Sequence, residues 1–190
     1  MRYILASSSP RRKDLMKFIS SDFLIDVPNV EEVVEDGLTP IEVTKHIACQ
    51  KGEVVAKRYP NDLVISADTI VVIDNQIIGK PKDEKDAKRI LNLLSGRTHY
   101  VHTAFWIFYQ NKAYDGLSTS KVIFNNLSEN LIDEYIESKS PLDKAGAYGY
   151  QDNEKYPLVL QIEGSINNVI GFPVEEIKEK IEEIIISSSR

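Results

Sequence analysis

The sequence predicts an α/β fold with a mixed β-sheet flanked by helices. Short apolar segments typical of strands alternate with amphipathic segments typical of helices along the 190 residues. The segment 63–67 is apolar at nearly every position, which is typical of a strand buried in the middle of a sheet. A run rich in β-branched and aromatic residues over 98–124 predicts a long hairpin, whose two strands are antiparallel. Together these patterns predict a mixed sheet rather than a purely parallel one.

In the first half of the chain, local signals predict where the elements begin and end. Pro10 indicates the start of a helix, because proline is favoured at the first helical position. Thr39 and Glu42 form a capping box, in which each residue satisfies a backbone N–H of the other. The predicted strands are 3–6, 23–27, 63–67, 70–73 and 77–78, with a turn at 74–75. The predicted helices begin at Pro10, run from Pro40 to about Lys57, and run from about Asp83 to Leu94.

The second half continues the alternation of strands and helices. Ser128 is a capping residue that predicts the start of a helix, and Gly164-Ser165 resembles a tight turn. No repeat, linker or low-complexity segment is found, so the chain is predicted to form a single domain over 1–190. The predicted elements are strands over 98–109, 113–124 and 158–162, helices from 128 to about 139 and over 173–186, and a loop over 141–151.

The composition argues against several classes of function. A formal net charge of −6 disfavours a general affinity for nucleic acid. No apolar run approaches the roughly 18 residues needed to cross a bilayer, and the first residues lack a secretory signal, so we expect a cytoplasmic protein without a membrane partner. The single cysteine, Cys49, is interpreted as a small core residue, and His46, His99 and His102 are too badly spaced for a zinc site.

The segment from Ser7 to Lys13 predicts a phosphate-binding turn. A small-residue turn leaves backbone N–H groups accessible, and a helix that begins at Pro10 directs further N–H groups to the same place. Arg11 and Arg12 add planar donors that match phosphate oxygens. The alternative is an ordinary helix start with a solvated basic first turn. That alternative places positive charge against the helix dipole, so anion binding is favoured.

Asp68 and Lys80 are the next candidates for chemistry. Asp68 directly follows the predicted buried strand, and its carboxylate would lie at the carboxyl end of the sheet, where open α/β sheets bind ligands. Such a carboxylate can bind a divalent cation or accept a proton from water; the alternative is an aspartate that caps a turn. Lys80 stands between Gly79 and Pro81, a setting in which lysine binds phosphate, although a solvated loop lysine has the same pattern.

Three further residues complete a set suited to a polyphosphate. Lys51 lies on the predicted helix, and Glu31 and Glu32 begin an acidic loop; each alone is typical of a protein surface. Combined, they offer cations for phosphates and carboxylates for Mg²⁺ and for activation of water. The chain has no phosphate-binding loop of the G-x-x-x-x-G-K-[ST] type, and no histidine accompanies Ser165 as a serine hydrolase requires.

Six motifs, in order along the chain, resemble those of the Maf family of nucleoside triphosphate pyrophosphatases. They are Ser7-Ser8-Ser9-Pro10-Arg11-Arg12, Ala67-Asp68-Thr69, Gly79-Lys80-Pro81, 94–99, 143–148 and 164–173. The resemblance spans residues 3 to about 185. It implies a mixed, elongated sheet with two lobes and a deep cleft, as in the related inosine triphosphatase fold, and often a homodimer.

The resemblance also implies a reaction and roles for particular residues. The expected reaction is metal-dependent hydrolysis of a nucleoside triphosphate to a monophosphate and pyrophosphate, with Mg²⁺, Mn²⁺ or Co²⁺. Asp68 corresponds to the proton acceptor of the family, and Glu31 or Glu32 to a metal ligand beside it. The positions implied to bind or position substrate are Ser7, Arg11, Arg12, Lys51, Lys80 and Gln151.

Three specificity positions indicate the branch of the family. They are Arg11, Thr69 and Gln151, a combination similar to that of dTTP/UTP pyrophosphatases rather than of enzymes acting on 7-methyl-GTP. Two residues depart from the usual pattern: Asp152 stands where glycine is common and would add negative charge beside the base, and Ile166 replaces a tyrosine. Two other functions are weighed: hydrolysis of inosine- or xanthosine-type purine triphosphates, and a nucleotide-binding regulator of cell division without turnover.

Overall fold

A seven-stranded mixed sheet organises the chain, and the computed structural model describes residues 1–31 and 37–188 of it. The strands are β1 (Tyr3–Leu5), β2 (Phe23–Ile25), β3 (Leu63–Ile73), β4 (Gln76–Ile78), β5 (Thr98–Tyr109), β6 (Lys112–Phe124) and β7 (Val159–Glu163). The helices are α1 (Pro10–Met16), α2 (Pro40–Ala56), α3 (Glu84–Leu94), α4 (Glu129–Glu137), α5 (Ile166–Ile170) and α6 (Val174–Ser188). Three short 3-10 turns cover Ser140–Asp143, Ala145–Ala147 and Tyr150–Asp152.

The sheet has the order β2-β1-β3-β5-β6-β7, and β4 pairs with β3. β1 is parallel to both β2 and β3, whereas β4 is antiparallel to β3 and β7 is antiparallel to β6. The prediction of an α/β fold with a mixed sheet flanked by helices is therefore confirmed.

The chain divides into two compact units. The first comprises Met1–Asp68, Thr103–Ser118 and Gly171–Arg190, and the second comprises Thr69–His102 and Thr119–Ile170. Each of β3, β5 and β6 contributes residues to both units. The single domain over 1–190 stays a prediction.

The capping residues predicted at the starts of α2 and α4 occupy those positions, and α1, whose start was predicted from Pro10, is capped by Ser9. The hydroxyl of Ser9 accepts a hydrogen bond from the backbone N–H of Arg12 at the start of α1. Thr39 and Glu42 form both hydrogen bonds of the capping box at the start of α2. These ends are set by interactions within four residues, which is why the sequence alone predicts them.

Two parts of the predicted secondary structure are wrong. Asp68 does not follow a strand, because β3 continues through it to Ile73 before the turn at Asp74-Asn75, where both φ angles are positive. β3 pairs with β1 over 63–65 and with β4 over 71–73, so pairing on either side of Asp68 keeps the strand extended. No helix was predicted between β7 and α6, but after Gly164 and Ser165 the chain forms the short helix α5.

Cys49 is half-buried on α2 rather than a core residue. Burial and the neighbouring Glu53 carboxylate raise the pKa of the Cys49 thiol to about 11. Little thiolate is therefore present at neutral pH, which makes Cys49 a poor nucleophile. None of the helices in the described ranges is long and apolar enough to cross a membrane.

His99 is enclosed in the core of the second unit. It is fully buried, its ring makes edge contacts with Phe124 and Tyr148, and its Nε2 lies 2.7 Å from the Tyr148 hydroxyl. Its Nδ1 has no hydrogen-bond partner within the described part of the chain. Burial lowers the pKa of His99 from 6.5 to about 4, because the charged imidazolium would be poorly solvated there.

We expect His99 to make the protein sensitive to acid. Below pH 6.5 the unfolded chain takes up a proton that the folded chain binds only near pH 4. The free energy of unfolding therefore falls as the pH drops through this range, by about 3 kcal/mol at its lower end from this residue alone. Urea unfolding of the wild type and of His99→Gln between pH 4 and 7 measures the effect. If both proteins lose stability in parallel, His99 is not its source.

Candidate active site

The turn before α1 is held together by its serine and arginine side chains. Ser7 is buried, and its hydroxyl accepts a hydrogen bond from the backbone N–H of Ser9 at 3.2 Å. The Arg12 guanidinium donates to the carbonyl of Gly171 at 2.9 Å and approaches the Ser7 hydroxyl at 3.5 Å. Arg11 is half-buried on the same helix. Two of the predicted phosphate ligands, Ser7 and Arg12, are thus brought together in the first unit.

Lys51 and Asp68 form an ion pair in the same unit. The Lys51 ammonium lies 2.8 Å from Oδ1 of Asp68, and the side chains are only 18% and 15% exposed. Seventeen positions separate the two residues in sequence. The structure therefore joins one predicted cation and the predicted proton acceptor into a single pair.

The register of the sheet carries Ser7 toward this pair. Leu5 of β1 lies beside Ile65 of β3, and the N–H of Ala6 donates to the Ile65 carbonyl at 2.8 Å. Ser7 is the second residue after the end of β1, beside the segment of β3 that leads to Asp68. β1 ends beside Ile65, three residues before Asp68, whereas β3 runs on to Ile73, so the turn leaves the sheet next to the part of β3 that carries the carboxylate.

The close approach of α2 to β3 sets the position of Lys51. Next to Lys51, Gly52 faces the sheet so closely that a Cβ there would lie 2.2 Å from the Phe108 ring and 2.5 Å from the Ser66 hydroxyl. Ser66 is fully buried and donates to the Ala48 carbonyl at 2.7 Å, which ties the helix to the strand. Gly52 and Ser66 were not predicted from the sequence, although an isolated glycine within a helix is an available signal.

In the second unit, Lys80 and Gln151 lie on two different loops. Lys80 is exposed, and the carbonyl of the preceding Gly79 accepts a hydrogen bond from the N–H of Gly146 at 3.0 Å. Gln151 is exposed at the centre of the last 3-10 turn. Within the described chain nothing lies within 4 Å of a Cβ built at Gly79, so packing does not require that glycine. Thr69 is half-buried within β3.

The sequence model of Maf-like proteins matches residues 2–184. The chain belongs to the Maf family. It is 45% identical over 174 residues to a dTTP/UTP pyrophosphatase of Dictyoglomus thermophilum, covering 90% of each chain. It is 40% identical over 182 residues to a dTTP/UTP pyrophosphatase of Bacillus mycoides, covering 96% of this chain and 95% of the relative.

Solved structures support the fold of this Maf protein. The Ham1 protein of Staphylococcus aureus matches with a TM-score of 0.58 at 13% identity, covering 96% of this chain and 99% of the other. A HAM1 protein of Coxiella burnetii matches with a TM-score of 0.54 at 16% identity over the same shares. At such low identity these matches concern the fold alone.

The predicted metal ligands of this Maf protein are only partly described. Glu31 is exposed, and Glu32 lies outside the described residues. Within residues 1–31 and 37–188, no group of three His, Cys, Asp or Glu side chains is placed to hold a metal ion. Asp68 offers a carboxylate oxygen, which suits Mg²⁺ that is also bound by substrate phosphates. The metal set of Glu31, Glu32 and Asp68 stays a prediction.

Asp152 was expected to add negative charge beside the base, and its contacts suggest another role. Its Oδ2 accepts hydrogen bonds from the Tyr135 hydroxyl at 2.8 Å and from the Ser140 hydroxyl at 2.7 Å. All three residues belong to the second unit. The carboxylate is thus engaged by two protein donors.

Proposed function

We propose that this protein hydrolyses dTTP and UTP to the monophosphate and pyrophosphate. Membership of the Maf family and the names of relatives 40% and 45% identical over most of the chain support this proposal. The observation that carries it is the half-buried Lys51–Asp68 pair, which holds a phosphate-binding cation against a candidate proton acceptor. Hydrolysis of a phosphoanhydride bond uses both groups: the cation stabilises negative charge on the phosphates, and the proton acceptor activates water.

The ion pair suggests how substrate binding prepares the reaction. Without a nucleotide, Lys51 neutralises Asp68. Phosphate oxygens carry more negative charge and draw the Lys51 ammonium toward them, which frees the carboxylate. Asp68 then accepts the proton of a water molecule as that water adds to phosphorus and the bond between the α and β phosphates breaks.

The other cations bind the substrate and stabilise the leaving group. Arg11, Arg12 and Lys80 supply three further positive charges for a triphosphate, and the Ser7 hydroxyl supplies a neutral donor. Thr69 and Gln151, with Arg11, select the pyrimidine base in this proposal. Charge on the departing pyrophosphate is neutralised by fixed cations, which lowers the barrier without further covalent chemistry.

A divalent metal ion belongs to this proposal as well. Asp68 and the acidic-loop residues Glu31 and Glu32 would hold Mg²⁺, Mn²⁺ or Co²⁺ together with the substrate phosphates. When bound, the ion polarises the phosphoryl oxygens and lowers the pKa of water. A cytoplasmic location and a homodimer remain predictions from the sequence.

A substrate panel tests the proposal directly. We expect pyrophosphate release from dTTP and UTP with Mg²⁺ or Mn²⁺ to exceed that from CTP, 7-methyl-GTP, dITP and XTP by at least about tenfold in kcat/KM, since a site that hydrogen-bonds one base leaves polar groups unpaired with another. A preference for dITP or XTP would instead support the purine function. Nucleotide binding without turnover would support the regulator.

A further inference from the structure

The carboxylate of Asp152 ends two directed chains of hydrogen bonds in the second unit. The first begins at the N–H of Gly149, which donates to the Tyr135 hydroxyl at 3.1 Å; that hydroxyl donates to Asp152 at 2.8 Å. The second begins at the Lys144 ammonium, which donates to the Ser140 hydroxyl at 3.0 Å; that hydroxyl donates to Asp152 at 2.7 Å.

The chemistry of the donors fixes the direction of both chains. An ammonium and a backbone N–H can only donate, so each hydroxyl accepts from it and has one proton left to give. An ionised carboxylate can only accept hydrogen bonds, and Oδ2 of Asp152 accepts one from each hydroxyl. Hydrogen bonds aligned in this way polarise one another and strengthen the whole chain.

The first chain brackets Gln151. The hydroxyl of Tyr135 accepts a hydrogen bond from Gly149 and donates one to Asp152, so it links the residues on either side of Gln151. Beyond it, the side chain of Asn153 exchanges hydrogen bonds with the backbone of Val159 at 2.7 and 3.1 Å, which joins the turn to β7.

The anchors of this network are buried, whereas Gln151 is exposed. Tyr135 is fully buried and Lys144 is only 7% exposed. Lys144 also passes close to Gly149, since a Cβ at Gly149 would lie 2.7 Å from its Cε and 2.9 Å from Oε1 of Gln151. An exposed side chain on a rigidly held turn is the arrangement that selective recognition requires.

We propose that Asp152, Tyr135, Ser140 and Lys144 form a positioning network that orients Gln151 and thereby sets the selectivity for the pyrimidine base. This inference rests on the proposed function of Gln151 in base recognition. A glutamine amide carries one acceptor and two donors, and uracil and cytosine exchange acceptor for donor at the edge that such an amide can contact. Loss of the network therefore affects which base is bound, more than the chemical step.

Three variants test the network through kinetics. In Tyr135→Phe and Asp152→Ala we expect the KM for UTP to rise about tenfold and the ratio of kcat/KM between UTP and CTP to fall about tenfold, with kcat changed less than about twofold. In Asp152→Asn we expect near wild-type values, because one amide oxygen can still accept both hydrogen bonds. Tyr156→Phe is the matched control: its ring lies 5.0 Å from that of Tyr135 and packs in the same cluster.

Amide hydrogen exchange of the nucleotide-free protein tests the network independently. Protection of the Gly149 N–H should fall at least about tenfold in Tyr135→Phe and stay unchanged in Tyr156→Phe, because only the first hydroxyl accepts from it. An unchanged Gly149 amide in Tyr135→Phe would overturn the network whatever the kinetics show.

The kinetic outcomes separate this inference from the proposed function. Suppose that the wild type is selective for UTP. If Tyr135→Phe and Asp152→Ala then keep the wild-type KM and the wild-type ratio of kcat/KM between UTP and CTP, the inference is overturned and the proposed function stands. If kcat falls only in proportion to the loss of folded protein and KM is unchanged, the network has a structural role only, and the inference is again overturned. A wild type without turnover of any nucleotide overturns the proposed function, and with it the link from the network to the base.

Discussion

Replacing Asp68 with asparagine is expected to lower kcat for UTP hydrolysis by about 10²–10⁴-fold, the usual contribution of a general base. Asparagine has the same shape but cannot accept the proton of the attacking water. The variant also releases Lys51 from its ion pair of 2.8 Å, so the cation no longer has to leave Asp68 to bind phosphate. The released cation favours substrate binding, whereas loss of the carboxylate weakens the proposed metal site, so we expect the KM for UTP to change much less than kcat. Steady-state kinetics of pyrophosphate release measures both constants.

Asp62→Asn is a matched control for the loss of a buried carboxylate. Asp62 immediately precedes β3, its side chain is 10% exposed, and it forms an ion pair with Arg2 at 2.6 Å. Asp62 lies six residues before Asp68, which is roughly 20 Å along the direction of β3. Its removal should destabilise the fold while leaving kcat of the folded protein within about twofold. An Asp68→Asn variant that also keeps kcat within about twofold would contradict the proposed role.

Replacing Gly52 with alanine is expected to reduce both stability and activity. Alanine favours a helix over glycine by about 1 kcal/mol, but its Cβ would lie 2.2 Å from Phe108 and 2.5 Å from the Ser66 hydroxyl. Overpacking costs about 1–3 kcal/mol, and displacing Ser66 from the Ala48 carbonyl leaves a buried hydroxyl unsatisfied at a similar cost. We expect a net loss of about 2 kcal/mol in the free energy of unfolding, measured in urea.

In Gly52→Ala we expect kcat/KM to fall by more than the loss of folded protein explains. Shifting α2 away from β3 moves Lys51, the neighbour of Gly52, relative to Asp68. A misplacement of about 1 Å in a catalytic group can lower kcat/KM by about 10²-fold. Removing the ring as well, in Gly52→Ala/Phe108→Ala, should recover part of the lost activity because α2 can move back toward β3.

Gly79→Ala serves as the stability control for this change. No atom of the described residues lies within 4 Å of a Cβ at Gly79, so alanine there should leave the free energy of unfolding within about 0.5 kcal/mol. If Gly52→Ala proves as stable and as active as the wild type, the close approach of α2 does not set the position of Lys51.

Most helices and strands could be predicted because their signals are local. The capping box of Thr39 and Glu42 and the Ser128 cap of α4 involve neighbours within four residues. The hairpin of β5 and β6 is predicted by β-branched and aromatic content together with a short turn at 110–112, and in the structure the second strand already begins at Lys112. Asp68 was misplaced because a polar pair after an apolar run is a turn signal, while pairing with distant strands keeps β3 extended through it.

The sequence by itself determined the class of fold, the chemical groups suited to a triphosphate, and the resemblance to the Maf family, which its match over 2–184 confirms. It indicated Lys51 and Asp68 as separate candidates, and Asp152 only as an added charge. Only the tertiary structure decided that Lys51 and Asp68 form a pair, that Gly52 lies against Ser66 and Phe108, and that Asp152 accepts hydrogen bonds from Tyr135 and Ser140. These are distances between residues far apart in the chain, and they depend on sheet register and side-chain packing rather than on local pattern.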